Sequence, residues 1–188
     1  MEAWIQKERA AKKKKLLLFF LTGFVLGVLY IILLGRSESS NMLMSSYFFS
    51  KYQYMEYSPV DLLGYILKSR FSVLLFLWLM GLTVIGTMTV LLFSLWAGFS
   101  LGMILTMAVV KLGMAGILLC VVSMVPQYLV YFPAFTFGLL RVYEMGQNKK
   151  PTTAYVLAFL VTAGLVLVGG MLESYVNPVL LKSLIRKI

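Results

Sequence analysis

The chain has 188 residues, of which 61% are hydrophobic and 13% charged, and its 17 basic and 7 acidic side chains give a formal charge of +10. A soluble domain is typically about 45–50% apolar and about 25% charged, so this composition excludes an ordinary soluble globule and points to an integral membrane protein. The positive charges flank apolar runs instead of covering a polar domain, which argues against a nucleic-acid surface and for membrane orientation.

Residues 1–15 form a basic N-terminal segment ending in Lys12-Lys13-Lys14-Lys15. The apolar run Leu16–Leu34 follows, long enough for a spanning helix, which needs about 20 residues. It exceeds the about 7–15 residues of a signal-peptide core, and Gly35-Arg36-Ser37-Glu38 offers no small-residue cleavage site. The expectation is an uncleaved first span over 16–35, with the N terminus cytoplasmic. Residues 36–70 then read as an extracytoplasmic interval of nearly balanced charge. Within it Ser58-Pro59-Val60-Asp61 reads as a helix start, with Ser58 as N-cap, Pro59 in the first turn and Asp61 near the helix N-terminus. Leu62, Leu63, Ile66, Leu67 and Phe71 continue at helical spacing. This predicts an interfacial helix feeding the second span.

Residues 71–172 form the main membrane domain, with about four further spans. The uncharged stretch Phe71–Val110 would be about 60 Å long as one helix, twice the hydrocarbon thickness of about 30 Å, so it must reverse once. Gly86, Ser94 and Gly98 are the candidates for that reversal. Lys111-Leu112-Gly113 reads as the next turn, and span four starts at about Met114. Span four carries Ser123-Met124-Val125-Pro126-Gln127 and then Pro133. Each proline removes a backbone N–H and clashes with the carbonyl four residues earlier, which predicts a kinked structural joint with Gln127 as its polar tie. Arg141, Lys149 and Lys150 mark a cytoplasmic loop, and span five covers about Thr153–Leu172. Residues 173–188 read as an amphipathic tail on the opposite side.

Small residues predict tight helix packing. Gly23 and Gly27 form one four-residue step and Gly98 and Gly102 another, with Gly81, Gly86, Gly113 and Gly116 beside them. At the end of span five, Glu173 and Asn177 share a helix face and Pro178 starts a new direction. Glu173 is placed to pair with Lys111 or Arg36. Tyr47, Phe48, Tyr52, Tyr54 and Tyr57 form an aromatic cluster in the outer interval, read either as an interfacial belt or as a partner surface.

Catalytic chemistry finds little to work with. The chain has no histidine and one cysteine, Cys120, so the usual general base, zinc ligands and thiolate clusters are missing. The sole aspartate is Asp61, so a pair of membrane aspartates is excluded. The expectations are no enzyme activity, no cofactor and no metal.

The residues of the membrane domain are similar to those of the stage II sporulation protein M family, best from about Val73 to the C terminus. Gly81-Leu82-Thr83-Val84-Ile85-Gly86 is followed by Gly98-Phe99-Ser100-Leu101-Gly102, then by Gly113 and Gly116. Ser123-Met124-Val125-Pro126-Gln127 with Pro133 comes next, and Leu172-Glu173-Ser174-Tyr175 with Pro178-Val179-Leu180 ends the match. The Lys12–Lys15 run and the aromatic interval do not match. The resemblance implies an all-α, polytopic scaffold of the bacterial plasma membrane, at the sporulation septum and the engulfing mother-cell membrane. It implies membrane-anchored peptidoglycan hydrolases as partners, stage II sporulation proteins D and P, alongside the lipid bilayer. The alternatives are a small membrane permease and the membrane subunit of an ABC-type exporter.

Overall fold

The computed structural model describes residues 2–34, 58–148 and 153–185, and these are helical nearly throughout. Helix α1 is Glu2–Leu34, α2 is Pro59–Gly81, α3 is Gly86–Asn148, α4 is Thr153–Met171 and α5 is Asn177–Ile185. A π-helical turn, Leu172–Val176, joins α4 to α5. Among the described residues five stretches are long and apolar enough to cross a bilayer: Ala10–Leu33, Pro59–Gly81, Gly86–Val110, Gly116–Gln147 and Thr153–Leu180. The all-α, five-span expectation holds.

Two of those spans lie in α3, which is bent where Gly113 takes φ 58° and ψ −136°. A side chain at that φ would be strained, whereas glycine adopts it readily. Gly113 therefore separates a first limb, Gly86–Val110, from a second, Gly116–Gln147. The bend falls within the turn expected at Lys111-Leu112-Gly113. Pro126 and Pro133 lie inside the second limb, and Gly113 is the residue with non-helical backbone.

The reversal between spans two and three is made by Leu82–Ile85. Leu82 N–H donates to Leu79 O at 3.1 Å, Thr83 N–H to Met80 O at 3.0 Å and Gly86 N–H to Thr83 O at 3.2 Å. The Thr83 hydroxyl also donates to Met80 O, at 2.7 Å. These bonds satisfy the helix end without a charged residue. A Cβ at Gly86 would lie 2.7 Å from Met80 O, so the turn closes this tightly only around glycine. Of the other candidates for the reversal, Ser94 and Gly98 prove to be helical residues of the first limb.

Helix α2 runs without interruption from Pro59 to Gly81, so residues 59–70 and the start of the second span are one element. It starts where Ser58-Pro59-Val60-Asp61 marked a helix start and feeds directly into the second span. The apolar spacing that begins at Leu62 continues through Ile66, Leu74, Leu77 and Trp78, the last four of which are buried. Ser58 has the extended backbone of an N-cap but makes no side-chain cap bond. At the other end of the chain, Pro178 does not turn the chain away: α5 continues beyond the π turn as helix and packs against α3.

Neighbouring contacts give the directions of the spans. Ser94 Oγ donates to Leu16 O at 3.0 Å, and a Cβ at Gly98 or Gly102 would collide with the carbonyl oxygens of Phe20 or Phe24. Both helices thus climb together, so α1 and the first limb are parallel. The stacked Trp78 and Tyr155 rings, 5.3 Å apart, and the fit of Gly170 against Leu67 make α2 and α4 antiparallel. Gly138 against Thr162 and Gly169 against Tyr131 do the same for α4 and the second limb. The main apolar core includes Leu74, Trp78, Val142, Tyr155, Ala158 and Val166.

Candidate functional site

An ion pair and a phenol hydrogen bond join α2, the second limb of α3 and the π turn. Arg70 Nη2 donates to Glu173 Oε1 at 3.1 Å and lies 3.4 Å from Oε2. Tyr131 OH donates to Glu173 Oε2 at 2.9 Å. The Arg70 guanidinium also sits over the Tyr131 ring, 5.2 Å from its centroid, within cation–π range. Arg70 stands near the middle of α2 and Tyr131 near the middle of the second limb. Ionisable groups within membrane-spanning stretches normally pair with one another, as these do.

Local sequence explains how Glu173 is presented. Asn177 N–H bonds Leu172 O, five residues back, which makes the turn a π turn. Pro178 follows directly and has no N–H to offer the next carbonyl, so a widened turn here lessens the conflict. Ser174 within the turn is buried and its hydroxyl donates to Met171 O at 3.2 Å. One turn before Glu173, Gly169 leaves room for the Tyr131 ring, which a Cβ there would strike. Gly169 seats the ring and Glu173 holds its hydroxyl, four residues apart on one face.

Two polar atoms beside this cluster have no donor. Gln127 Oε1 and Asn177 Oδ1 are buried and accept no hydrogen bond from the described residues. Gln127 is one turn from Tyr131, and Asn177 one wide turn from Glu173. Because α4 and the second limb are antiparallel, both amides lie on the same side of the Tyr131–Glu173 bond.

The cluster differs in part from the sequence expectation. Glu173 pairs with Arg70; of the partners expected for it, Arg36 and the Lys111 side chain lie outside what the structure describes. Glu173 is held by Tyr131, with Gln127 one turn before Tyr131 and Asn177 four residues after Glu173, while Pro126 adjoins Gln127 and Pro133 is exposed. Gly23, Gly27, Gly98 and Gly102 lie elsewhere, between α1 and the first limb. Gly81 packs against Tyr155 and Val142, and Gly116 is buried at the head of the second limb. Tyr47, Phe48, Tyr52, Tyr54 and Tyr57 lie outside the described residues. Arg70, Tyr131 and Gly169 were not singled out from the sequence. The signal that could have found Arg70 is the unbroken apolar spacing from Leu62 to Trp78, which places it in mid-helix.

Five apolar spans among the described residues, with an ion pair between two of them, define a multi-pass membrane protein. The chain belongs to the stage II sporulation protein M family, whose family model, described as Stage II sporulation protein M, matches residues 16–178. That match takes in α1 and α2 as well as the stretch from Val73 onward. Neither a curated protein nor a solved structure matches the chain. Membership of this family makes this a sporulation-related membrane protein.

Proposed function

We propose that this chain is a non-catalytic scaffold that assembles and localises peptidoglycan hydrolases, stage II sporulation proteins D and P, for septal wall remodelling and forespore engulfment. The observation that most supports it is the use made of Glu173. Both carboxylate oxygens are engaged by Arg70 and Tyr131, an arrangement suited to bracing three helices together. Family membership supports the same reading. So does the composition, which lacks histidine altogether.

In this reading the N terminus is cytoplasmic, because Lys12–Lys15 and Arg141 fall at the same end of the bundle. Partner spans dock on lipid-facing helix surfaces, since Gly23, Gly27, Gly98 and Gly102 are already covered within the chain. The test is recovery of tagged protein from sporulating cells in mild detergent. Co-purification of either hydrolase is expected, and a deletion strain should form asymmetric septa without engulfing. Loss of both results would remove the proposal.

A small-solute permease is a second reading, favoured by one observation: the spans hold an ion pair at a π turn and two buried, donor-free amide oxygens within about one turn of it in sequence. Reconstituted vesicles would then show solute flux that Gln127→Leu abolishes, whereas a scaffold shows none.

A further inference from the structure

We infer that Gln127 and Asn177 form an internal hydration site, in which water donates to both amide oxygens one turn beyond the Tyr131–Glu173 bond. Gln127 is only 6% exposed, and its Oε1 and the Asn177 Oδ1 are both buried acceptors without a donor among the described residues. An acceptor left unmet in such surroundings is costly, and buried water is the common remedy where at least two polar groups converge. Convergence follows from register. Gln127 lies four residues before Tyr131 in the second limb, and Asn177 four residues after Glu173 across the π turn. The two helices run antiparallel and are joined by the 2.9 Å bond from Tyr131 to Glu173.

Charge selects the class of ligand. Glu173 is already neutralised by Arg70 at 3.1 Å. An added alkali cation would leave a net positive charge within the spans, next to a guanidinium, with only amide oxygens to compensate it. A neutral molecule with two O–H donors meets both oxygens at no such cost, and water is the smallest. The site stands on this geometry under either functional reading.

The test combines unfolding with spectroscopy on the full chain in lipid nanodiscs. Gln127→Met and Asn177→Leu remove the oxygens at similar volume. If water bridges them, each variant should melt about 2–4 °C lower, and the double variant should fall no further than the single ones. Water-edited solid-state NMR of the labelled protein in phosphatidylethanolamine–phosphatidylglycerol bilayers should transfer magnetisation to both side-chain amides, assigned by their loss in the variants. Melting at or above the parent temperature would mean that the oxygens were never met, and would overturn the site. Coupled variants without transfer from water would make it a direct amide pair, also overturning it. A rise in melting temperature when sodium or potassium replaces choline, lost in the variants, would replace water with a cation and reject the neutral class.

Discussion

Glu173 illustrates how an ionisable side chain is tolerated inside an apolar bundle. Its 17% side-chain exposure is combined with an ion pair and a phenol bond, while Arg70 keeps 39% of its side chain open. Removing only one partner leaves the other charge without compensation, which is the costly outcome for a buried pair. Glu173→Gln and Arg70→Met should each destabilise the protein by about 1–3 kcal/mol, below the range for a fully enclosed pair because Arg70 is partly open. The double variant Arg70→Met/Glu173→Met should recover much of that loss, because packed apolar groups often replace an ion pair without penalty. Thermal unfolding in detergent checks the cycle, and additive losses would show that the pair does not act as a unit. Tyr131→Phe keeps the ring on Gly169 and removes only its hydrogen bond. It should cost about 1.5–3 kcal/mol, the usual value for a bond to a charged acceptor.

At the scale of helices, the closest approach is between α1 and the first limb of α3. Both sides supply glycines four residues apart, and each meets a backbone carbonyl of the other helix: Gly23 with Leu95, Gly27 with Phe99, Gly98 with Phe20 and Gly102 with Phe24. A methyl group at these positions meets main chain, which cannot rotate away. Gly98→Ala should therefore cost about 1–3 kcal/mol, the usual overpacking penalty, despite alanine's better helix propensity. Gly164→Ala is the matched control, since nothing lies within 4 Å of its Cβ position, and it should leave stability unchanged or improve it by up to about 1 kcal/mol. Equal melting temperatures for the two variants would mean that α1 is not held by this seam. The seam's glycines were legible as small-residue steps, but their mutual pairing was not, because spacing says which face is small and not what it meets. Arg70 was missed for a related reason. Charge was used to end the polar interval at residue 70, yet the helix obeys the apolar spacing and carries the arginine through. The reversal at Gly113 was legible in the short turn Lys111-Leu112-Gly113, where glycine reaches positive φ. That Pro126 and Pro133 stay within a helical limb was not, because neighbouring groups decide how the freed backbone is accommodated.

For the whole molecule, the directions of the helices constrain one another. Parallel α1 and first limb require an even number of crossings between their starts, and α2 supplies the return crossing. The N-terminal end of α1, the turn Leu82–Ile85 and the end of α3 then lie on one side, with Gly113 and α5 on the other. The side with Lys12–Lys15 also carries Arg141, which is held 3.4 Å from Glu144. Basic residues favour the cytoplasmic side, so the turn Leu82–Ile85 should be cytoplasmic and the Gly113 bend extracytoplasmic. Cysteine labelling can decide this cleanly because the native Cys120 is buried, at 6% exposure, and should contribute little background. Val84 and Met114 are 74% and 80% exposed and stand beside the two bends. In intact cells a membrane-impermeant maleimide should react with Met114→Cys and spare Val84→Cys, and permeabilisation should expose Val84→Cys. The reverse pattern would invert the molecule while keeping its packing. Labelling of both from outside would instead mean that the first limb does not cross the bilayer, and that α3 forms a re-entrant hairpin.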